Sequence, residues 1–132
     1  MNKKEYAQAN KEWLLQKSQE KGVNALSKGV YYRVLTEGKT DCRHPNPRSI
    51  VTAHYTGWTI DGQQFDSSRN GAPLAIRLCD LIEGWIIAMQ QMCVGDKWEV
   101  YIPAEMGYGK ISQPGIPGGS TLIFEIELLG IA

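Results

Sequence analysis

The closing stretch TLIFEIELLGI (121–131) alternates apolar and polar side chains almost without a break. A period of two sends successive side chains to opposite faces of an extended strand. Such a strand has an apolar face to bury and edges to pair, so it must belong to a covered sheet. The same demand recurs along the chain. GVYYRVL (29–35) sets Val30, Tyr32 and Val34 against Tyr31, Arg33 and Leu35, and PLAIRL (73–78) puts Leu74, Ile76 and Leu78 on one face. SIVTAHYTGW (49–58) and DKWEVYIP (96–103) also read as strands. After the former, TIDGQQF carries Asp61-Gly62, a strong hairpin dipeptide. The connecting stretches TEGKTDCRHPNPRS (36–49) and AEMGYGKISQPGIPGGS (104–120) are rich in turn-forming residues and suit antiparallel pairing.

One segment is fitted to cover that sheet. In DLIEGWIIAMQQM (80–92), Leu81, Trp85, Ala88, Met89 and Met92 share a helical face. Asp80 and Glu83 have capping-box spacing, which predicts a helix starting near Leu81–Ile82 and stopped by Gly95. Trp85, its largest side chain, falls in the first turn directly after Gly84, where a bulkier residue would crowd the helix start. A second, more polar helix is expected over residues 3–21, with Tyr6, Ala9, Trp13 and Leu14 on one stripe and Gly22 closing it. The fold class is therefore α+β.

At 132 residues the chain can bury one core without staples. Lys+Arg and Asp+Glu number 14 each, a balance that argues against nucleic-acid and anionic-membrane partners. No apolar stretch reaches membrane-spanning length, and MNKKEYAQANKEW has no apolar core after its lysines. The cytoplasm is the expected compartment, or the periplasm if a signal has been removed. The three cysteines, Cys42, Cys79 and Cys93, lack close spacing, and no disulfide framework is expected. Cys93 reads as buried. Cys42 and His44 form a C-x-H pair, for which a surface loop is a better explanation than a metal site.

Nucleophile elbows, H-E-x-x-H pairs and phosphate loops are missing, and the only histidines are His44 and His54. Asp66 is a carboxylate in an aromatic neighbourhood, where a hydrogen-bonding role is favoured over acid–base work. Aromatics instead cluster where elements end: Phe65, Trp85 and Tyr108 flank turns or loops, the usual place for binding surfaces. An apolar cleft with a few polar tips is the expected site.

AHYTGWTIDGQQFDSS, LIEGW, VYIPAEMGYG and GIPGGSTLIFEIELL, in this order and spacing, closely resemble the FKBP family of peptidyl-prolyl cis-trans isomerases. The upstream helix with GVNALSKGVYYRVLTEG resembles bacterial members that carry an N-terminal helical segment, among which dimers occur. The resemblance implies an antiparallel sheet of about five strands wrapped around one short central helix, plus the N-terminal helix. It divides the chain into a helical extension (1–28), a leading strand and loop (29–46) and an isomerase domain (47–132). It implies rotation of Xaa-Pro bonds in an apolar cleft, in aid of protein folding, with no cofactor or metal. Tyr55, Phe65, Asp66, Trp85, Tyr108 and Phe124 match the catalytic cleft, with Trp85 as its floor. Leu74, Ile76, Leu81, Ile82 and Ile116 match substrate-binding walls, and the Ile82 N–H and Tyr108 hydroxyl match donors to a ligand carbonyl. Implied partners are proline-containing polypeptides and macrolide inhibitors, to a monomer or a homodimer joined through the N-terminal helix. The alternative is an FKBP-like binding or chaperone module with little turnover. Leu74 and Ile76 stand where the family often has aromatics, Gly118 where it often has proline, and Arg69 is the only arginine near Asp66.

Overall fold

The computed structural model describes residues 1–132. Helix α1 (Lys3–Ser18) precedes strands β1 (Val23–Ala25), β2 (Tyr31–Thr36), β3 (Ile50–Trp58), β4 (Gln64–Ser67) and β5 (Leu74–Arg77). Helix α2 (Glu83–Met89) and strands β6 (Lys97–Ile102) and β7 (Leu122–Ile131) follow. The strands form one seven-stranded antiparallel sheet in the order β1-β2-β6-β7-β3-β4, with β5 also paired to β3. The sheet exceeds the expected five strands through short edge pieces such as β1, whose three residues carry no readable pattern. β3 pairs with β7 along its whole length, while its other edge is shared by β5 near Ile50–Ala53 and β4 near Thr56–Trp58.

The alternation of β7 translates directly into burial. Leu122, Phe124, Ile126 and Leu128 lie inside, and Ile123, Glu125 and Glu127 sit on the outer face. The inner residues join Val51, Ala53, Val100 and Ile102 in a single core against Trp85, Ala88, Met89 and Met92. On the outer face, Arg69 bridges Glu125 and Glu127, and Lys97 also meets Glu125. Such half-exposed pairs contribute little to stability.

The helix boundaries differ from expectation in detail. Asp80 lies in a 3-10 turn (Leu78–Asp80), and α2 instead begins after Ile82, which caps it without a side-chain hydrogen bond. The helix ends at Met89, so Met92 reaches the core from the following turn, and Gly95 closes that turn at φ +94°. Gly84 has a concrete reason: a Cβ there would stand 2.5 Å from Ile102 Cγ2. α1 starts with a reciprocal capping box between Asn2 and Glu5. It ends at Ser18 with Gln19 as its cap, and Gly22 serves the turn into β1.

α1 lays its stripe on its own sheet. Leu14 is buried, Trp13 meets Tyr101 edge-on at 6.0 Å, and the Lys17 ammonium lies over both rings. Asn10, 1% exposed, was not part of the predicted stripe. Its Oδ1 accepts from the Thr121 N–H at 2.8 Å, and its Nδ2 donates to the Tyr6 carbonyl at 2.8 Å. Asn10→Leu strands a buried backbone N–H, a loss of about 1–3 kcal/mol. Urea unfolding is the check, and an unchanged midpoint would show that water reaches Thr121.

The cysteines overturn one expectation. Cys42 and Cys93 are joined by a disulfide with Cα atoms 5.7 Å apart, and Cys79 is free and exposed. The bond spans 51 residues, so no local spacing announces it; the 37–49 loop returns to the turn after α2 and brings the pair together. Cross-linking a loop of that length removes about 4 kcal/mol of unfolded-chain entropy. Cys93 is buried, as its apolar context suggests.

Candidate active site

The inner end of the sheet and the first turn of α2 meet in a nest of four aromatic rings. Trp85, 3% exposed, is the floor. Tyr55 from β3 stands edge-on to it at 5.3 Å and 82°, and Phe124 from β7 does so at 5.3 Å and 80°. Phe65 from β4 meets Phe124 at 5.5 Å and 87°. Edge-to-face packing aims ring hydrogens at neighbouring π faces and is the favoured arrangement for such pairs. The floor is closed, while Tyr55 and Phe65 are only half-buried and Tyr108 is exposed. The rings thus form an apolar nest whose outer members reach solvent.

Gly57 makes the nest possible, and the sequence reading passed over it. A Cβ at Gly57 would lie 2.5 Å from Phe65 Cζ and 2.8 Å from Phe124 Cε1. A glycine inside a strand marks such a close approach, which was the available signal. Gly115, at φ +75°, likewise lets the 104–120 loop approach Phe65.

Polar groups sit at the rim. The Tyr55 hydroxyl donates to Asp66 Oδ2 at 2.6 Å, and Asp66 Oδ1 accepts from the Ser67 N–H at 2.9 Å. Arg69 does not reach Asp66; it is held by Glu125 and Glu127. A tyrosine hydroxyl therefore orients the carboxylate where an arginine was sought. The Ile82 N–H donates to no group of the chain, although its carbonyl accepts from Trp85 and Ile86. A helix N-terminus leaves such donors free for an incoming acceptor.

The remaining predicted residues divide. Leu74, Leu81 and Ile82 pack half-buried against the core that contains the nest. Ile116 is 5% exposed and belongs to that core, held by reciprocal backbone hydrogen bonds with Gln113. Ile76 is half-buried opposite Val51 on β5, outside the core cluster.

Burial, then the hydrogen bond to Asp66, push the Tyr55 hydroxyl up to about 12, with the nearby Tyr108 adding to the shift. Burial and the bond to Glu99 do the same for Tyr101, also to about 12. The fold favours the neutral hydroxyl in both. Their contribution to stability is complete below the ordinary value of 10.0 and is lost as pH rises through about 12. An alkaline titration followed by tyrosinate absorbance is expected to show Tyr55 and Tyr101 ionising near 12. Tyr55→Phe removes one late step; the absence of any step near 12 would rule this out.

An antiparallel sheet packed on one short helix, with aromatic rings nested at their junction, defines an apolar binding site with polar groups at its rim. Residues 42–129 match the family model described as FKBP-type peptidyl-prolyl cis-trans isomerase. The chain is 40% identical to the FKBP-type peptidyl-prolyl cis-trans isomerase FkpA of Escherichia coli strain K12 over 92% of its own length and 44% of the relative's. It is 41% identical to the FKBP-type 22 kDa peptidyl-prolyl cis-trans isomerase of the same strain, over 90% of this chain and 58% of that one. The crystal structure of a peptidyl-prolyl cis-trans isomerase from Pseudomonas syringae pv. tomato superposes with a TM-score of 0.90 at 30% identity, covering 100% of this chain and 97% of that one. The chain belongs to the FKBP-type peptidyl-prolyl cis-trans isomerase family. It spans about half the length of the curated relatives it matches.

Proposed function

We propose that the chain accelerates cis-trans rotation of Xaa-Pro bonds in unfolded or loop segments of other polypeptides and so assists their folding. The observation that carries this reading is the aromatic nest floored by Trp85, with the unpartnered Ile82 N–H at its rim. Rotation about a peptide bond breaks amide resonance at a barrier of about 18–20 kcal/mol. No covalent bond is made or broken, so no nucleophile is needed. The twisted amide carries less charge separation than the planar one, its oxygen less negative and its nitrogen more basic. Water stabilises the planar ground state better than an apolar recess does, so the recess favours the twisted form by difference. A prolyl ring seated on the indole, with a flanking carbonyl held by the Ile82 N–H, leaves the rest of the peptide free to turn. Each 1.4 kcal/mol or so of differential stabilisation gives about tenfold in rate.

Catalysis of this kind is graded. Tyr55, Phe65, Asp66, Phe124 and Tyr108 act through shape and environment, with Leu74, Leu81, Ile82 and Ile116 forming walls and support. A macrolide presenting a ring and carbonyls of proline-like shape would compete for the same recess, and added macrolide would then slow exchange. The deciding experiment is cis-trans exchange on short Xaa-Pro peptides, read by NMR with several residues before proline. The expected result is faster exchange at micromolar chain; no increase would leave the binding-module reading, which the named relatives do not favour.

The stripe of α1 packed on its own sheet supports a monomer over a homodimer joined there, and a doubled mass in sedimentation would reverse that. The Cys42–Cys93 bond supports an oxidising compartment over the cytoplasm. Denatured without reductant, the purified chain is expected to offer one of its three cysteines, Cys79, to a thiol reagent; three would argue for a reducing compartment.

A further inference from the structure

The 37–49 loop is fastened to the turn after α2 at four points. The Gly38 N–H donates to Asp96 Oδ1 at 2.7 Å and the Lys39 N–H to the Val94 carbonyl at 3.2 Å. Cys42 is bonded to Cys93, and His44 Nδ1–H donates to the Met92 carbonyl at 2.9 Å. Asp96 is itself buried and also accepts from the Cys93 N–H at 2.8 Å, which fixes that end of the turn. Together these contacts hold the Cys42 and Cys93 sulfurs and a ring nitrogen of His44 within 4.8 Å of one another, with His44 Nδ1 4.0 Å from Cys42 Sγ.

We propose that the chain with this disulfide reduced binds one zinc ion through Cys42, His44 and Cys93. Two thiolates and an imidazole are a ligand set that zinc takes readily, at about 2.3 Å to sulfur and about 2.0–2.1 Å to nitrogen. Tetrahedral geometry at those lengths separates the two sulfurs by about 3.8 Å. Cα atoms 5.7 Å apart allow that separation by side-chain rotation alone. The hydrogen bonds of Gly38 and Lys39 involve neither sulfur, so the loop keeps its place when the S–S bond opens.

A dithiol supplies two electrons, is itself oxidised to a disulfide, and leaves Cys42 and Cys93 as thiols. Zinc then forms two Zn–S bonds while the two thiol protons pass to water. His44 turns Nδ1 from the Met92 carbonyl to the ion and carries its proton on Nε2. His44 is exposed, so a water completes the fourth position. The loop is thus cross-linked in either redox state, by sulfur when oxidised and by metal when reduced. A C-x-H pair is weak evidence alone; the third ligand comes from a turn 49 positions beyond His44 in sequence and was invisible as a pattern.

The test uses cobalt(II) as a spectroscopic stand-in for zinc, in a Cys79→Ser background that removes the remaining thiol. The chain is reduced with a dithiol and desalted without oxygen. Thiolate-to-cobalt charge transfer and tetrahedral visible bands are expected at one equivalent, to be displaced by zinc and absent from the oxidised chain. Cys42→Ser or Cys93→Ser should abolish the charge transfer of a two-thiolate site. His44→Ala should weaken binding at least about tenfold, since even groups that only orient ligands cost that much. Circular dichroism follows the fold throughout: if reduction unfolds the chain, cobalt must restore it. Silence in the reduced chain, failure to refold with cobalt, or bands indifferent to His44→Ala and Cys42→Ser would each overturn the proposal.

Discussion

Trp85→Ala is expected to cost about 3–5 kcal/mol of stability, a large part of the roughly 5–15 kcal/mol that a domain possesses. The indole is 3% exposed and touches two other rings edge-on, Tyr55 and Phe124, each at 5.3 Å. Its removal leaves a cavity whose lining cannot collapse easily. Phe124 is fixed on a central strand between β6 and β3, and Tyr55 is tied to Asp66. Isomerisation falls as well, because the recess loses its floor and admits water. Trp85→Phe separates the two effects: it keeps an aromatic plate and most of the burial, so urea unfolding should recover more than half of the loss. Exchange of an Xaa-Pro peptide by Trp85→Phe should lie between wild type and Trp85→Ala. A Trp85→Ala chain of unchanged stability would mean that the indole is not the keystone of the core. Complete loss of turnover in Trp85→Phe with peptide binding intact would contradict a mechanism based on environment.

The legible parts of the fold are those whose signal lies within one element. The alternation of β7 depends only on the strand itself, and Leu122, Phe124, Ile126 and Leu128 are buried as the pattern requires. Trp85, Ala88, Met89 and Met92 were readable as an inward face even though Met92 lies beyond the helix, because a tight turn continues the helical direction for a few residues. The start of α2 falls within a residue or two of the expected one, but its cap differs, because Asp80 is held in a 3-10 turn on the preceding segment. Features made by meeting segments left no mark. The Cys42–Cys93 bond, the Asn10–Thr121 hydrogen bond and the turning of Arg69 toward Glu125 and Glu127 all join residues more than 50 positions apart. The rings named through motif resemblance, Tyr55, Phe65, Trp85 and Phe124, do pack on one another. The pairing of Leu74 with Ala53 and of Ile76 with Val51 is a register, which residue type does not encode.

Gly57→Ala should damage the site more than its size suggests. The added methyl would stand 2.5 Å from Phe65 Cζ, 2.7 Å from Phe65 Cε1 and 2.8 Å from Phe124 Cε1, distances that carbon atoms do not tolerate. Something must move, and the two rings are not equally free. Phe124 is 4% exposed, pairs with Gly57 across β3 and β7, and packs on Trp85. Phe65 is half-buried on a four-residue edge strand, so it swings toward solvent and the recess loses a wall. Overpacking of this kind costs about 1–3 kcal/mol. kcat/KM for peptide exchange should fall at least about tenfold, equivalent to about 1.4 kcal/mol of transition-state stabilisation. A double-mutant cycle tests the cause. Phe65→Leu shortens the side chain that the methyl strikes, so Gly57→Ala in that background should cost less stability than in wild type. Its activity should match Phe65→Leu alone, because the wall is already gone. Additive losses, each substitution acting as if the other were absent, would show that the glycine serves the strand and not the ring.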